Sequence, residues 1–332
     1  MNIRINTPLC FSEVGKKPNQ EDALYPHQGA ATVADRVLMV CDGMGGHEHG
    51  EVASVCVADT IGGLLSAVPP CTTAEMRQRY EQALAKAYQE LDQLDDSPAS
   101  ARKMGTTLTF LALCTDGVLV AHIGDSRVYQ LRQGEGVVFQ THDHSLLNDL
   151  LAAGELTEEE ARDFSQKNVI TRAVMPHQEY PSKASYKVLT DIRKGDIFFL
   201  CSDGIVEQLD NTDLTTLLLT QEPLQQRLGQ VKSLCAQRHT RDNHTCYAVE
   251  VDAVEGAVVG EKHPAATTVA VQPKPSSTLS RWLWWLIAGI AVLMALAVWK
   301  GKPSKSAAHE DKPKVEQASA VQGTIQRKNN RP

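Results

Sequence analysis

The chain has 332 residues, 42% hydrophobic and 22% charged, with a formal net charge of −7. This suits one large globular domain, or a domain plus accessory segments, and the mild acidity leaves no basic footprint for nucleic acid. The eight cysteines include no CxxC pair and several lie in apolar runs, so they read as reduced thiols of a cytosolic domain and not as a disulfide frame. Residues 1–9 lack the continuous apolar core of a signal peptide.

Residues 12–22 (SEVGKKPNQED) read as a polar, solvated loop that turns at Gly15 and Pro18 and ends in Glu21 and Asp22. Residues 38–41 (LMVC) form an apolar strand with Asp42 at its end. Gly43, Gly45, Gly46 and Gly50 then break the chain before a helix over 51–65. Asp42 offers two hard oxygens and the Gly43 carbonyl a third, a donor set for Mg²⁺ or Mn²⁺. The alternative, that Asp42 only caps the helix, stays open on these residues. The helix is expected to bury Ala53, Val57, Ile61 and Leu64. A second helix starts at Thr72, with Glu75 completing a capping box. Its stripe of Met76, Tyr80, Ala83, Ala87, Leu91 and Leu94 reads as core packing.

Residues 106–113 and 118–123 read as strands joined by a turn, and the second runs into Gly124-Asp125-Ser126-Arg127. Residues 128–132 and 136–140 make the next hairpin. After 141–145 (THDHS) a helix carries Leu146, Leu147, Leu150 and Leu151 and stops at Gly154. Thr157 and Glu160 form a second capping box. Residues 195–204 (GDIFFLCSDG) repeat the form of an apolar strand followed by an acid, here Asp203. Helices over 213–219 and 224–235 follow, and Arg241-Asp242-Asn243 precedes a last strand at 245–251.

Asp42, Asp125, Asp203 and Asp242 thus stand at strand ends or just before a strand, each beside a Gly or Asn. Carboxylates converging on one rim repel unless cations neutralise them. Two divalent ions about 3.5–4 Å apart, sharing one carboxylate, would do so and would hold a nucleophilic hydroxide. Four unrelated turn aspartates are the plainer alternative, but the repeated pattern at Asp42 and Asp203 speaks against it.

The C-terminal part differs in kind. Residues 282–299 (WLWWLIAGIAVLMALAVW) are uncharged, with tryptophans at both ends and Arg281 and Lys300 outside them. At roughly 18 residues the run is long enough to span hydrocarbon. Residues 253–281 read as a flexible linker and 300–332 as a disordered tail, leaving 1–252 as the catalytic domain.

The motifs SEVGKKPNQEDA, VCDGMGGHEHGEVAS, MGTTLTFL, AHIGDSRVYQL, THDHS, ITRAV, GDIFFLCSDG and RDNHTCYAV occur in this order over about residues 7–251. In that order the chain resembles the metal-dependent Ser/Thr protein phosphatase 2C family, in its bacterial form with a C-terminal membrane anchor. The resemblance implies a four-layer α-β-β-α sandwich, two central antiparallel sheets flanked by helices, plus the transmembrane helix. It implies that Asp42 bridges two Mn²⁺ or Mg²⁺ ions, with the Gly43 carbonyl on one and Asp203 and Asp242 on the other. Asp22 and Glu21 would act through water, and Asp125 would hold a weaker third ion. Asn243 would support this loop. The implied reaction is hydrolysis of phosphoserine or phosphothreonine on proteins by hydroxide held at the two ions, without a phosphoenzyme.

Two departures stand out. Where the family usually has an Arg to grip phosphate, this chain has Lys16 and Lys17, and Lys17 is the candidate; lysine brings charge without the bidentate fork. Met44 follows the Asp-Gly pair where eukaryotic members often carry His, so either His47 or a water protonates the leaving group. The expected partners are phosphoproteins and a Ser/Thr kinase whose action the enzyme opposes at the bacterial membrane. The catalytic domain is expected to be monomeric and cytoplasmic on a single-pass anchor. The lysines after the span point to a cytoplasmic tail, while the free thiols and phosphoprotein substrates place the domain inside.

Rival readings are weaker. Cys71 and Arg77, and Cys235 and Arg241, have tyrosine-phosphatase spacing but no glycine loop around a phosphate. His47 with His49, and His142 with His144, suggest zinc, yet no cysteine joins them. A membrane-tethered binding module without catalysis is the alternative from another class, and it would be expected to have lost metal aspartates.

Overall fold

The structure is a computed structural model and describes residues 1–45, 49–95, 104–167 and 169–256. The described chain runs β1 (Asn2–Ile5), β2 (Leu9–Glu13), β3 (Asp22–Tyr25), β4 (Val37–Met44), α1 (Gly50–Leu65) and α2 (Thr73–Leu94). It continues with β5 (Gly105–Thr106), β6 (Leu108–Leu113), β7 (Val118–Ile123), β8 (Arg127–Arg132), β9 (Gly136–Gln140), α3 (Leu146–Ala153) and α4 (Glu158–Arg162). It ends with β10 (Ser185–Leu189), β11 (Ile197–Cys201), α5 (Asp203–Val206), α6 (Asn211–Leu218), α7 (Leu224–Gln237) and β12 (His244–Glu255).

Two six-stranded sheets form the centre. One has the order β1-β12-β11-β8-β9 with β2 also on β12; the other has the order β10-β7-β6-β4-β3 with β5 on β4. Every strand pair is antiparallel.

Strand periodicity explains the layers. Successive side chains of β4 point to opposite faces. Leu38 and Val40 enter the seam between the sheets with Val120, Phe198, Leu200 and Tyr247. Met39 and Cys41 pack outward against Val57 and Ile61 of α1 and Tyr80 and Leu91 of α2. Beyond the other sheet, Tyr129, Phe199 and Cys201 meet Leu214 of α6 and Leu228 and Val231 of α7. Three apolar layers thus separate four layers of structure, the expected α-β-β-α arrangement. The strands read as unbroken apolar runs because both faces are covered.

The differences from expectation are local. Residues 12–22 are not all loop: β2 reaches Glu13, and Asp22 opens β3. β1 and β10 also carried no sequence signal; their partners, not their propensities, make them strands. β4 continues through Asp42 to Met44, because Gly43 pairs with Thr106 and its N–H donates to the Glu21 carbonyl (3.1 Å). Leu64 and Leu94 are 52% and 53% exposed; Leu65, four residues after Ile61, takes the buried position instead. β12 extends to Glu255, past the linker start expected at 253, because β1 supplies a partner as far as Asn2. His47, the span 282–299 and the tail 300–332 lie outside the described residues. Among the described residues, no helix is long and apolar enough to cross a membrane.

Candidate metal centre and active site

The parity of the strands places the first two carboxylates. Asp42 follows Val40 by two residues and Asp22 precedes Leu24 by two, so both share the face that lines the seam. They are also direct partners across β3 and β4. The acidic rim is therefore the inter-sheet core continued to its end, with carboxylates in place of aliphatic groups. From the opposite sheet the Ser202 hydroxyl donates to Asp22 Oδ2 (2.8 Å) and accepts the Thr245 N–H (3.0 Å). Asp203 opens α5, Asp242 precedes β12, and Asp125 sits in the turn between β7 and β8. Asp42 does not cap α1, whose N-cap is His49.

Main-chain supports fix these positions. The Asp42 N–H donates to Thr107 Oγ1 (3.0 Å), and the Thr106 hydroxyl donates to the Asp42 carbonyl (2.9 Å). Thr107 Oγ1 also lies 2.7 Å from Ser126 Oγ, tying this strand to the turn of Asp125. Asn243 is buried and holds residues 14–21 at three points. Its Oδ1 accepts the Glu21 N–H (2.8 Å), and its Nδ2 donates to the carbonyls of Val14 (2.8 Å) and Asn19 (2.9 Å). Gly43 is required sterically: a Cβ there would lie 2.2 Å from the Gly50 oxygen and 2.4 Å from the Glu21 oxygen, both backbone atoms.

The electrostatics follow from burial. Burial pushes the Asp22 carboxyl up to about 7, the neighbouring Asp203 and Asp242 add to this, and hydroxyls of Thr245 and Ser202 only partly offset it. Burial first, then Asp22 and Asp203, hold Asp42 well above the usual carboxylate range. Asp125 is pushed up to about 7 by burial and by Asp203. Burial also raises Asp203, whose carboxyl is within hydrogen-bonding reach of that of Asp42. Burial alone would lower the Lys17 ammonium, but Asp242 (2.8 Å) and then Glu21 (3.4 Å) more than offset it, and it stays charged.

One oxygen each of Asp22, Asp125 and Asp203 is buried with no hydrogen-bond donor. Buried, mutually repelling carboxylate oxygens without donors fit hard divalent cations, which take oxygen ligands. Among the described residues, no three His, Cys, Asp or Glu side chains are already closed around one point. Mg²⁺ sites commonly use one or two carboxylates and complete the shell with water, so the set still fits.

The structure therefore brings Asp22, Asp42, Asp203 and Asp242 to one rim with Lys17, Glu21 and Gly43, and Asp125 joins through Asp203. Sequence reasoning missed Ser202, Thr106 and Thr107. Ser202 stood directly beside Asp203, while Thr106 and Thr107, at the end of β5 and just before β6, carried no local signal of their contact with Asp42. The thiol rival fails, because burial raises Cys71 and pushes Cys235 up to about 11, so neither is a ready thiolate. Asp125, Asp203, Arg127 and Glu207 line a cavity of about 320 Å³ that opens on the rim. A larger cavity of about 780 Å³ lies between α1 and α2; its walls are mainly apolar and it holds none of the four rim aspartates.

A carboxylate rim at the seam of a two-sheet α/β sandwich defines a divalent-cation-dependent hydrolase. The sequence matches the family profile described as Protein phosphatase 2C over residues 13–240. It is 34% identical over 215 residues to the protein phosphatase PhpP of Streptococcus pneumoniae, covering 64% of this chain and 85% of that protein. The fold is similar to that of the Streptococcus agalactiae serine/threonine phosphatase (TM-score 0.65, 29% identity, 74% of this chain and 99% of the other). It is also similar to the catalytic domain of PstP in complex with two manganese ions (TM-score 0.58, 28% identity, 75% and 99%). The chain belongs to the protein phosphatase 2C family: it is a metal-dependent serine/threonine protein phosphatase, and its substrates are phosphoproteins. The non-catalytic alternative is not favoured.

Proposed function

We propose that Asp42, the Gly43 carbonyl, Asp203 and Asp242 would hold two Mn²⁺ or Mg²⁺ ions at this rim. Asp22 and Glu21 act on them through water, and Asp125 takes a weaker third. When bound, the ions supply the positive charge that makes water a nucleophile at neutral pH and stabilises the phosphoryl oxygens. The chain's own residues prepare that geometry. Thr106 and Thr107 clamp the Asp42 peptide, Ser202 aims Asp22, and Asn243 holds the Glu21 segment. Lys17 keeps an ammonium at the rim, where it attracts the phosphate; His47 is the candidate to protonate the leaving alkoxide. The observation that carries this reading is the set of buried Asp22, Asp125 and Asp203 oxygens with no donor.

The test uses the full chain and a phosphothreonine peptide. Turnover should require Mn²⁺ or Mg²⁺ and vanish in Asp203→Asn. Turnover in chelator, or an unimpaired Asp203→Asn, would overturn the reading.

The setting is proposed with it. Residues 282–299 anchor the enzyme in the bacterial cell membrane through the 253–281 linker. Domain 1–252 acts as a monomer in the cytoplasm, and the 300–332 tail lies outside. There it opposes a Ser/Thr kinase acting on the same substrates, since tethering raises their local concentration. The support is the uncharged, tryptophan-bounded run itself and the free thiols. In intact cells an external protease should remove a tag placed after Pro332. A protected tag would reverse the orientation, and a soluble full-length protein would remove the anchor.

A further inference from the structure

The THDHS segment, residues 141–145, is built against the turn that carries Asp125. Arg127 donates a fork to Asp143 (Nε to Oδ1 2.7 Å, Nη2 to Oδ2 2.6 Å). His144 meets Gly124 twice: its backbone N–H donates to the Gly124 carbonyl (3.0 Å), and its Nδ1 accepts the Gly124 N–H (3.1 Å). Its Nε2 lies 2.8 Å from Ser185 Oγ on β10. The ring stacks on His122 of β7 with centroids 4.5 Å apart and planes 8° from parallel, and His122 Nε2 lies 2.8 Å from the His142 carbonyl. Both imidazoles are buried.

These contacts fix the tautomer. A backbone N–H can only donate, so Nδ1 carries no proton and Nε2 donates to Ser185. Arg172 Nη1, 3.4 Å from Nε2, sets a cation beside the ring and opposes its protonation. Burial, then His122 and Arg172, pull the His144 imidazolium down to about 4, so the ring is neutral in the working range. Gly124 has φ +102°, a conformation that L side chains rarely adopt, and a Cβ there would lie 2.7 Å from Thr107 Cγ2. The turn is therefore held on one side by the Thr107–Ser126 contact and on the other by His144.

We propose that His144 is a positioning residue that fixes the Asp125 carboxylate at the metal rim by accepting the Gly124 N–H. This rests on the reading of Asp125 as a ligand for the weaker third ion. An amide oxygen reproduces Nδ1 in Asn, while Gln reaches the Nε2 position and leaves the Gly124 N–H without its acceptor.

The experiment titrates Mn²⁺ into the full chain and follows free Mn²⁺ by electron paramagnetic resonance, beside melting temperatures and the kcat and KM of a phosphothreonine peptide. Asp125→Asn should weaken the last ion to bind. His144→Gln should weaken the same ion about tenfold or more, as loss of a partner behind a metal ligand does. It should leave the tighter ions in place and lower kcat more than it raises KM. His144→Asn should retain most of that affinity, since its amide oxygen keeps an acceptor for the Gly124 N–H. If Asp125→Asn weakens that ion and His144→Gln does not, the proposal is overturned alone. Equal weakening by Gln and Asn also overturns it, since the stack and not the Nδ1 acceptor would then matter. If Asp125→Asn changes no ion, the reading of Asp125 falls and the proposal with it.

Discussion

Asp22 and Asp42 are direct partners across β3 and β4, two carboxylates on one face of one antiparallel ladder. Like charges placed this way destabilise a sheet, and here Asp22 is buried and Asp42 half-buried at the end of the inter-sheet core. The pairing is sustained by a ligand set in waiting: Ser202 satisfies one oxygen of Asp22, and the other has no donor. The metal-free enzyme should therefore carry a strain that bound cations relieve.

That strain has a pH signature. Asp22 and Asp125 sit at about 7 in the folded, metal-free chain, against an ordinary carboxylate near 4. The folded state thus holds these protons more tightly than the unfolded one. Their contribution to stability is complete below about pH 4 and is lost as pH rises through about 7. In chelator, the stability of the parent relative to Asp125→Asn should slope downward by roughly 5 °C in melting temperature between pH 5 and pH 8, a comparison that cancels the opposite slope of the buried, neutral His122, His144 and His244. Saturating Mn²⁺ should flatten that slope. Calorimetry across the pH series checks both, and a parent-minus-variant difference that does not change with pH would contradict the assignment.

Asn243→Ala removes one acceptor and two donors from a buried position joining residues 14, 19 and 21. The cost should be about 2–3 kcal/mol, since polar groups are left buried without partners. Urea denaturation measures it. Activity should drop as well, because the displaced segment carries Glu21 and Asp22.

Gly43→Ala tests the close approach of three backbones. The new methyl would lie 2.2 and 2.4 Å from two carbonyl oxygens, neither of which is the end of a flexible side chain. A loss of more than about 2 kcal/mol is expected, together with weaker Mn²⁺ binding by calorimetric titration. A variant as stable as the parent would show that β4 can shift away from α1.

Far from the rim, Asp196 anchors a buried ionic network. It accepts from Arg132 (Nε to Oδ1 2.7 Å), Gln130 Nε2 (2.7 Å) and the Arg193 N–H (2.9 Å), and it is fully buried. Asp196→Ala should cost about 2–3 kcal/mol by leaving Arg132 Nε and the Arg193 N–H without their acceptor, while Asp191 (2.9 Å) still neutralises the Arg132 charge. Below the lowered melting point kcat should be near the parent value, which separates fold stability from catalysis.

Much of this was legible in the chain. The apolar runs before Asp42 and Asp203 marked the central strands, because a strand covered on both faces must be apolar throughout. The capping boxes at Thr72 and Thr157 marked helix starts, because they are satisfied within four residues. β1 was silent: its partner is some 250 positions away, with Asn2 opposite Glu255. The burial of Leu65 in place of Leu64 is a rotation of one residue, which packing decides and an apolar doublet does not.

Hydrophobic period marked the central strands and the long helices and residue chemistry supplied the acids, since both are local properties. Which acids meet was decided by tertiary structure. Strand register turned Asp22 and Asp42 onto the same face, a crossing hydroxyl from Ser202 joined them to the second sheet, and His144 closed on the turn of Asp125. Register and inter-sheet contact depend on partners distant in the chain, and no local pattern encodes them.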